Sequence, residues 1–194
     1  DRWYRGGDAL GDPGILARHV ALAVAAAESI LNRTLTSVLD VGCGEGRWQP
    51  VLHALRPGAS YLGVDPSPYV VERYGAARNL VSGSFRSLES LAFDEPFDLV
   101  VCADVLHYLD DREIMEGLDT LVDVTGGVAL VEVFTAEDDP EGDREGFRPR
   151  PAAWYRRLFQ AAGLVPIGLQ MYVHRETAGI LDALDAPQDL IPGR

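Results

Sequence analysis

Three glycines alternate in the run VLDVGCGEGRW, residues 38–48, directly after a short apolar stretch. Glycine has no Cβ and adopts positive φ readily. Gly42, Gly44 and Gly46 therefore let a ligand approach the main chain, and the helix expected next offers N–H groups with no partner inside it. About twenty residues further on, YLGVDPSPY at 61–69 supplies a second apolar stretch that ends in Asp65. A carboxylate there can accept hydrogen bonds from both ribose hydroxyls of an adenosine-containing cofactor. A tight strand-to-helix turn without a ligand would also use glycine, but packing alone rarely demands three in alternation. A second group of reactive side chains lies in FDLVVCADVLHYL, 97–109, where Asp104 and His107 could take a proton from a bound hydroxyl or nitrogen. Each has a plainer reading: Asp104 as a helix cap, His107 as a packed residue in a helical turn, and Tyr108 as rim or core packing. His174 is expected to meet solvent or a local partner.

These residues need elements to position them, and the periodicity supplies a regular alternation. Residues 13–32 put Leu16, Val20, Ala23, Val24, Ala27 and Leu31 on one helical stripe, with Asp12 as N-cap and Pro13 in the first turn. SVLDV at 37–41 suits a buried central strand, and the helix after the glycines stops at RPG, 56–58. Further strands fit 60–64, 79–82, 97–102 and 127–133. Asp110 and Glu113 form a capping box ahead of Ile114, Met115, Leu118, Leu121 and Val122 on one helical face. Strands alternating with helices predict a mostly parallel sheet covered on both faces, a three-layer α/β/α sandwich.

Composition bounds the function. A chain of 194 residues, 47% hydrophobic and 24% charged, matches one domain spanning 1–194. Its formal net charge is −13 and every basic residue is Arg, which argues against nucleic acid as a partner, since phosphate binding draws on basic clusters. Arg148, Arg150, Arg156 and Arg157 are the nearest to such a cluster, but they adjoin the acidic run from Glu137 to Glu145. No apolar run approaches the roughly 20 residues of a membrane span, and the opening DRWYRGGDALGDPG lacks the pattern of a signal peptide. No membrane partner and a cytoplasmic location are expected. Cys43 and Cys102 are too few for a disulfide scaffold and read as reduced thiols.

Taken together, residues 35–184 resemble the class I methyltransferases that use S-adenosylmethionine (SAM). The resemblance implies a seven-stranded sheet of order 3-2-1-4-5-7-6 with strand seven antiparallel. VLDVGCGEG resembles the family's first motif, whose loop, here Gly42, Cys43, Gly44 and Gly46, wraps the methionine part of the cofactor. Asp40 matches its acidic position, and Asp65 with Pro66 the ribose position. GSF at 83–85 stands where the adenine contact is commonly an Asp; Ser84 departs from that, which leaves the Phe85 N–H as a donor. Carbonyls near Cys102 and Ala103 would face the cofactor's amino group. GGVALVEV resembles strand five, WYRRLFQAAGL a late helix stopped at Gly163, and VPIGLQMYV with TAGILDAL the closing antiparallel hairpin.

The resemblance implies an enzyme that passes a methyl group from SAM to oxygen or nitrogen of a small molecule, leaving S-adenosylhomocysteine (SAH). The family's acceptor lies above the C-terminal strand ends, which points to Trp3, Tyr4, Arg5, Tyr108 and the segment from Phe134 to Tyr155. Residues 1–34 are expected as an N-terminal lid and helix, with 1–12 and 134–150 as a mobile cover. Two other readings stay open: a SAM-binding partner subunit that catalyses nothing, and a nicotinamide or flavin enzyme. Against the latter, the turn reads GCGEGR, with Arg47 where GxGxxG has its third glycine. No DPPY or NPPY follows the fourth strand, no acidic set suggests a metal, and a homodimer remains open.

Overall fold

The computed structural model describes residues 13–139 and 146–181. Trp3, Tyr4, Arg5 and the expected N-cap Asp12 lie outside the described residues, as does 140–145 of the expected cover. Seven strands form one sheet: β1 (Ser37–Val41), β2 (Ser60–Asp65), β3 (Leu80–Ser82), β4 (Phe97–Ala103), β5 (Thr125–Glu132), β6 (Leu164–Gly168) and β7 (Met171–His174). Their order is β3-β2-β1-β4-β5-β7-β6, and β7 runs antiparallel to both β5 and β6. The other neighbouring pairs are parallel. This is the layered architecture expected from the alternation of elements, with the strand order that the resemblance implies.

The central strands are continuous apolar runs because helices cover both faces. Alternate residues divide the core in two. Val38, Leu99, Val101, Val128 and Leu130 meet α1 (Pro13–Leu31) and α2 (Trp48–Leu55), with α3 (Pro68–Arg78) at their edge. Leu39, Val41, Val100, Cys102, Ala129 and Val131 meet α4 (Asp111–Asp123) and α5 (Ala152–Ala162). The Asp110–Glu113 capping box forms as expected, and α5 ends at Gly163 with φ 98°.

Helix α1 packs Val20, Ala23, Val24 and Ala27 into the core, so within 1–34 the helical part belongs to the body of the fold. Its stretch Gly14–Leu31 has a mean hydropathy of 1.5 and is long and apolar enough to cross a membrane by length and composition alone. That corrects the expectation that no run comes near such a span. Here the helix is fastened at its end by polar contacts: Glu28 pairs with Arg56, and Arg33 with Asp98, which also accepts from the Thr36 N–H.

The closing hairpin also needs correction. Both its strands lie inside LVPIGLQMYVH, whereas Thr177–Ile180 of the TAGILDAL segment forms a 3₁₀ turn. The reversal falls on Leu169 and Gln170, with φ of 51° and 59°. Two-residue hairpin loops of this hand normally announce themselves with Asn-Gly or Asp-Gly. Here an exposed Leu and a Gln take the strain. Gln170 returns part of it: its carbonyl accepts from the Val131 N–H and its Oε1 from the Val133 N–H, both at 2.9 Å.

Candidate cofactor turn and acceptor face

The C-terminal ends of β1, β2, β4 and β5 gather the candidate residues. Beyond β1, the N–H groups of Gly42 and Cys43 both donate to the Val64 carbonyl, at 2.8 and 3.2 Å, which bends the chain sharply over β2. All three glycines have positive φ, but for different surroundings. A Cβ on Gly42 would enter the Val105 side chain, and one on Gly46 would press on Leu80, whereas one on Gly44 would stand in open space. Gly44 is thus the member of the turn whose main chain borders an opening. Its N–H donates to Asp65 Oδ2 at 2.8 Å, while Asp65 Oδ1 accepts from the Ser67 N–H at 2.9 Å. A carboxylate can accept about four hydrogen bonds, so each oxygen keeps capacity for one more donor.

Around this turn the other predicted residues take varied places. Asp40 is buried and accepts from Tyr61 Oη at 2.6 Å. Burial, with Asp65 adding to it, pushes its carboxyl up to about 7 against the pull of the tyrosine. The Cys43 and Cys102 thiols are both pushed far up, chiefly by burial; neither is a nucleophile at neutral pH. Pro66 is exposed. Ser84 caps the 3₁₀ turn Phe85–Leu91: its hydroxyl lies 2.9 Å from that of Ser87 and accepts from the Ser87 N–H. Phe85 follows as the first residue of the turn, where helix geometry gives an N–H no partner within the helix.

Asp104 and His107 have different surroundings. Asp104 follows Ala103 at φ 59°, and its N–H donates to the Glu132 carbonyl at 3.1 Å. His107 is 1% exposed, and burial lowers its pKa to about 4. Its Nδ1 accepts from the Phe134 N–H at 3.3 Å, and its ring packs on Tyr108, Phe134 and Phe147. Its carbonyl accepts from the Arg148 N–H. This neutral imidazole joins the loop after β4 to both described ends of the 134–150 segment. Tyr108 beside it is exposed. Arg150 is buried and donates to Asp111 Oδ1 at 2.7 Å and to the Leu109 carbonyl at 2.6 Å. Those ends of the expected cover are fastened to the body of the fold.

Two residues escaped the sequence reading. Glu132 closes β5 in register with Ala103 and is 6% exposed. Its Oε1 lies 3.3 Å from His19 Nε2 of α1, its Oε2 is buried with no hydrogen-bond partner among the described residues, and burial raises its carboxyl to about 7. His19 meets Trp48 edge to face at 5.6 Å between ring centres. A charged residue ending the apolar run GGVALVE was the available signal. Among the described residues no group of His, Cys, Asp and Glu could hold a metal ion.

Against known proteins, the family described as "Methyltransferase domain" matches residues 39–126, from β1 through the glycine turn and Asp65 to the start of β5. Over that stretch, which holds the glycine turn and Asp65, the chain is similar to methyltransferase domains. Among curated members of known name, it is 31% identical to a mitochondrial ubiquinone biosynthesis O-methyltransferase of Candida albicans, over 76% of this chain and 45% of that one. It is 27% identical to a trans-aconitate 2-methyltransferase of an Azoarcus species, over 68% and 51%. The chain therefore spans about half the length of the curated relatives it matches. Its fold is shared with a SAM-bound amino pentose methyltransferase of Micromonospora echinaspora, at a TM-score of 0.62 and 15% identity, covering 81% of this chain and 89% of the other. The matched stretch sets the glycine turn and Asp65 on adjacent strand ends, β1 and β2.

Proposed function

We propose that this methyltransferase binds SAM at the turn between β1 and β2 and passes its methyl group to oxygen or nitrogen of a small molecule. The observation that carries the proposal is the bare main chain of Gly44, open to space and hydrogen-bonded to Asp65. That cradle fits the cofactor: Asp65 has one free acceptor position on each oxygen for the two ribose hydroxyls, and a side chain at 44 would fill the opening. The Ser84 hydroxyl is committed to Ser87, so adenine would be read by the main chain at Phe85. Carbonyls at Cys102 and Ala103, at the end of β4, would face the cofactor's amino group in this reading. Bound SAM supplies a methyl carbon already activated by its sulfonium, so the protein's tasks are to align the acceptor behind it and exclude water. The net charge of −13 disfavours nucleic acid as acceptor. The names of the curated relatives, one for ubiquinone biosynthesis and one for trans-aconitate, favour a small molecule. Two free thiols, one buried and one half-buried, suit a reducing compartment such as the cytoplasm.

Calorimetry with SAM, SAH and NADH tests the cofactor, and accumulation of SAH with mixed acceptors tests the transfer. SAM and SAH are expected to bind and NADH not to. Tighter binding of NADH would overturn the reading, and tight SAH binding with no turnover on any acceptor would favour a non-catalytic subunit.

A further inference from the structure

Glu132 is the most unusual side chain on the face where an acceptor would lie. A glutamate that is 6% exposed in a native fold is ordinarily paired through both oxygens. Among the described residues only Oε1 has a partner, His19 Nε2 at 3.3 Å, and Oε2 has none. The pairing registers Asp40 with Val101 and Ala103 with Glu132 set this carboxyl level with Gly42. It stands two strand widths from the glycine turn, roughly 10 Å, and beside the exit of β4. The residue alternates with Val128 and Leu130, so it shares their face of the sheet, under α1. The titratable groups that face it from the described elements around it are His19 of α1 and Asp104 after β4. Burial lowers the His19 pKa and so favours the neutral imidazole, while Asp104 adds a like charge.

We infer that Glu132 receives the proton of the methyl acceptor, and that the acceptor therefore presents an O–H or N–H group at this point rather than a carboxylate. The inference rests on the methyl-transfer reading above. A donor group fills the vacant hydrogen-bonding position of Oε2, and His19 holds the other oxygen so that the carboxyl cannot swing away. In the step itself the acceptor's lone pair forms the bond to the methyl carbon. The sulfonium–methyl bond breaks with its electron pair left on sulfur, and the acceptor's proton passes to Glu132 Oε2. A carboxylate acceptor brings no proton and would meet Glu132 and Asp104 as like charges.

The test uses the full chain with catechol and 2-phenylethylamine as donor probes and tricarballylate as the carboxylate probe. Glu132→Gln keeps the size of the side chain and an oxygen for His19 but cannot take a proton. SAH affinity, measured by calorimetry, should be equal in wild type and variant. If wild type fails to bind SAH, the cofactor reading itself falls, whereas equal SAH affinity confines any change to the acceptor side. Methyl transfer to a donor probe should fall about 100- to 10,000-fold in the variant. Its rise with pH through about 7 should disappear too, because Glu132 must be ionised to accept a proton. Glu132→Asp should lose less and keep the pH dependence. As a readout without turnover, the glutamate δ-carbon NMR signal absent from Glu132→Gln should move when catechol is added to the wild-type SAH complex. Transfer to tricarballylate, a rate in Glu132→Gln within threefold of wild type, or a δ-carbon signal indifferent to catechol would each overturn the inference.

Discussion

The N–H of Gly44 donates to Asp65 Oδ2 at 2.8 Å, tying the loop that leaves β1 to the carboxylate that ends β2. One side chain thus shapes the turn and, in the proposed reading, offers its remaining lone pairs to the cofactor. Asp65→Ala removes both roles. SAH affinity should fall about tenfold to a hundredfold, the scale of roughly 1.5 to 3 kcal/mol for hydrogen bonds to a charged group. Calorimetry on wild type and variant measures it, and equal affinities would remove Asp65 from the cofactor site.

The glycines of the same turn should respond differently to alanine. At Gly42 the new methyl group meets Val105 in addition to the positive φ of 71°, so Gly42→Ala should cost stability, about 2 to 4 kcal/mol from overpacking and strain together. At Gly44 the methyl group meets nothing, and only the φ of 50° is penalised, about 1 kcal/mol. Gly44→Ala should therefore stay folded yet lose SAH binding by intruding on the cradle. Urea denaturation beside calorimetry separates the two, and a Gly44→Ala protein that binds SAH normally would count against ligand contact there.

Asp40 gives the protein a pH dependence of known sign. Its folded pKa, about 7, lies above the unfolded value near 4. The native state thus holds its proton longer, and this contribution to stability, complete below pH about 4, is lost as pH rises to about 7. His107, lowered by burial to about 4, acts oppositely across nearly the same window: its contribution is lost as pH falls below about 6.5. In the wild type the two offset each other. Asp40→Asn unmasks the difference, so variant stability minus wild-type stability should rise with pH between about 4 and 7, by at most about 1.4 kcal/mol per pH unit, then level off. A difference flat with pH in urea titrations at pH 4.5, 6 and 7.5 would show that Asp40 is ionised throughout.

The elements were legible wherever one local signal decided them. The glycine turn, the Asp110–Glu113 capping box and the Gly163 stop each act through neighbours in sequence. The closing hairpin was not legible because Leu169 and Gln170 adopt a backbone shape usually written with Asn and Gly. Ser84 stands where the family's adenine contact is commonly an Asp, and its bonds to Ser87 are those of a cap. Glu132 and His19 come together only through the packing of α1 on β5, 113 positions apart by their numbers, 132 less 19. No spacing rule could pair them. For His107 the sequence left a catalytic and a packed reading side by side, because the rings that enclose it arrive from Phe134 and Phe147.

The segment after β5 was expected to be a loose cover, and its described ends argue for a narrower range of motion. Arg150 is the fastener. It bonds Asp111 and the carbonyls of Leu106 and Leu109, approaches the Tyr155 hydroxyl at 3.3 Å, and lies over the Trp154 ring at 5.0 Å. Its own carbonyl accepts from the Ala136 N–H at 2.8 Å, and so joins the two ends of the segment. Arg150→Ala strips charge-assisted bonds from the buried Leu106 and half-buried Leu109 carbonyls and opens space beside Trp154, so stability should drop by about 2 to 4 kcal/mol. In wild type the Ala136 and Arg148 amides should exchange slowly with or without SAH, since their acceptors are the carbonyls of Arg150 and His107. Arg150→Ala should speed both. If instead these amides exchange freely in the wild type and slow only on SAH binding, the ends move with the cofactor and the fastening is not complete until it is bound.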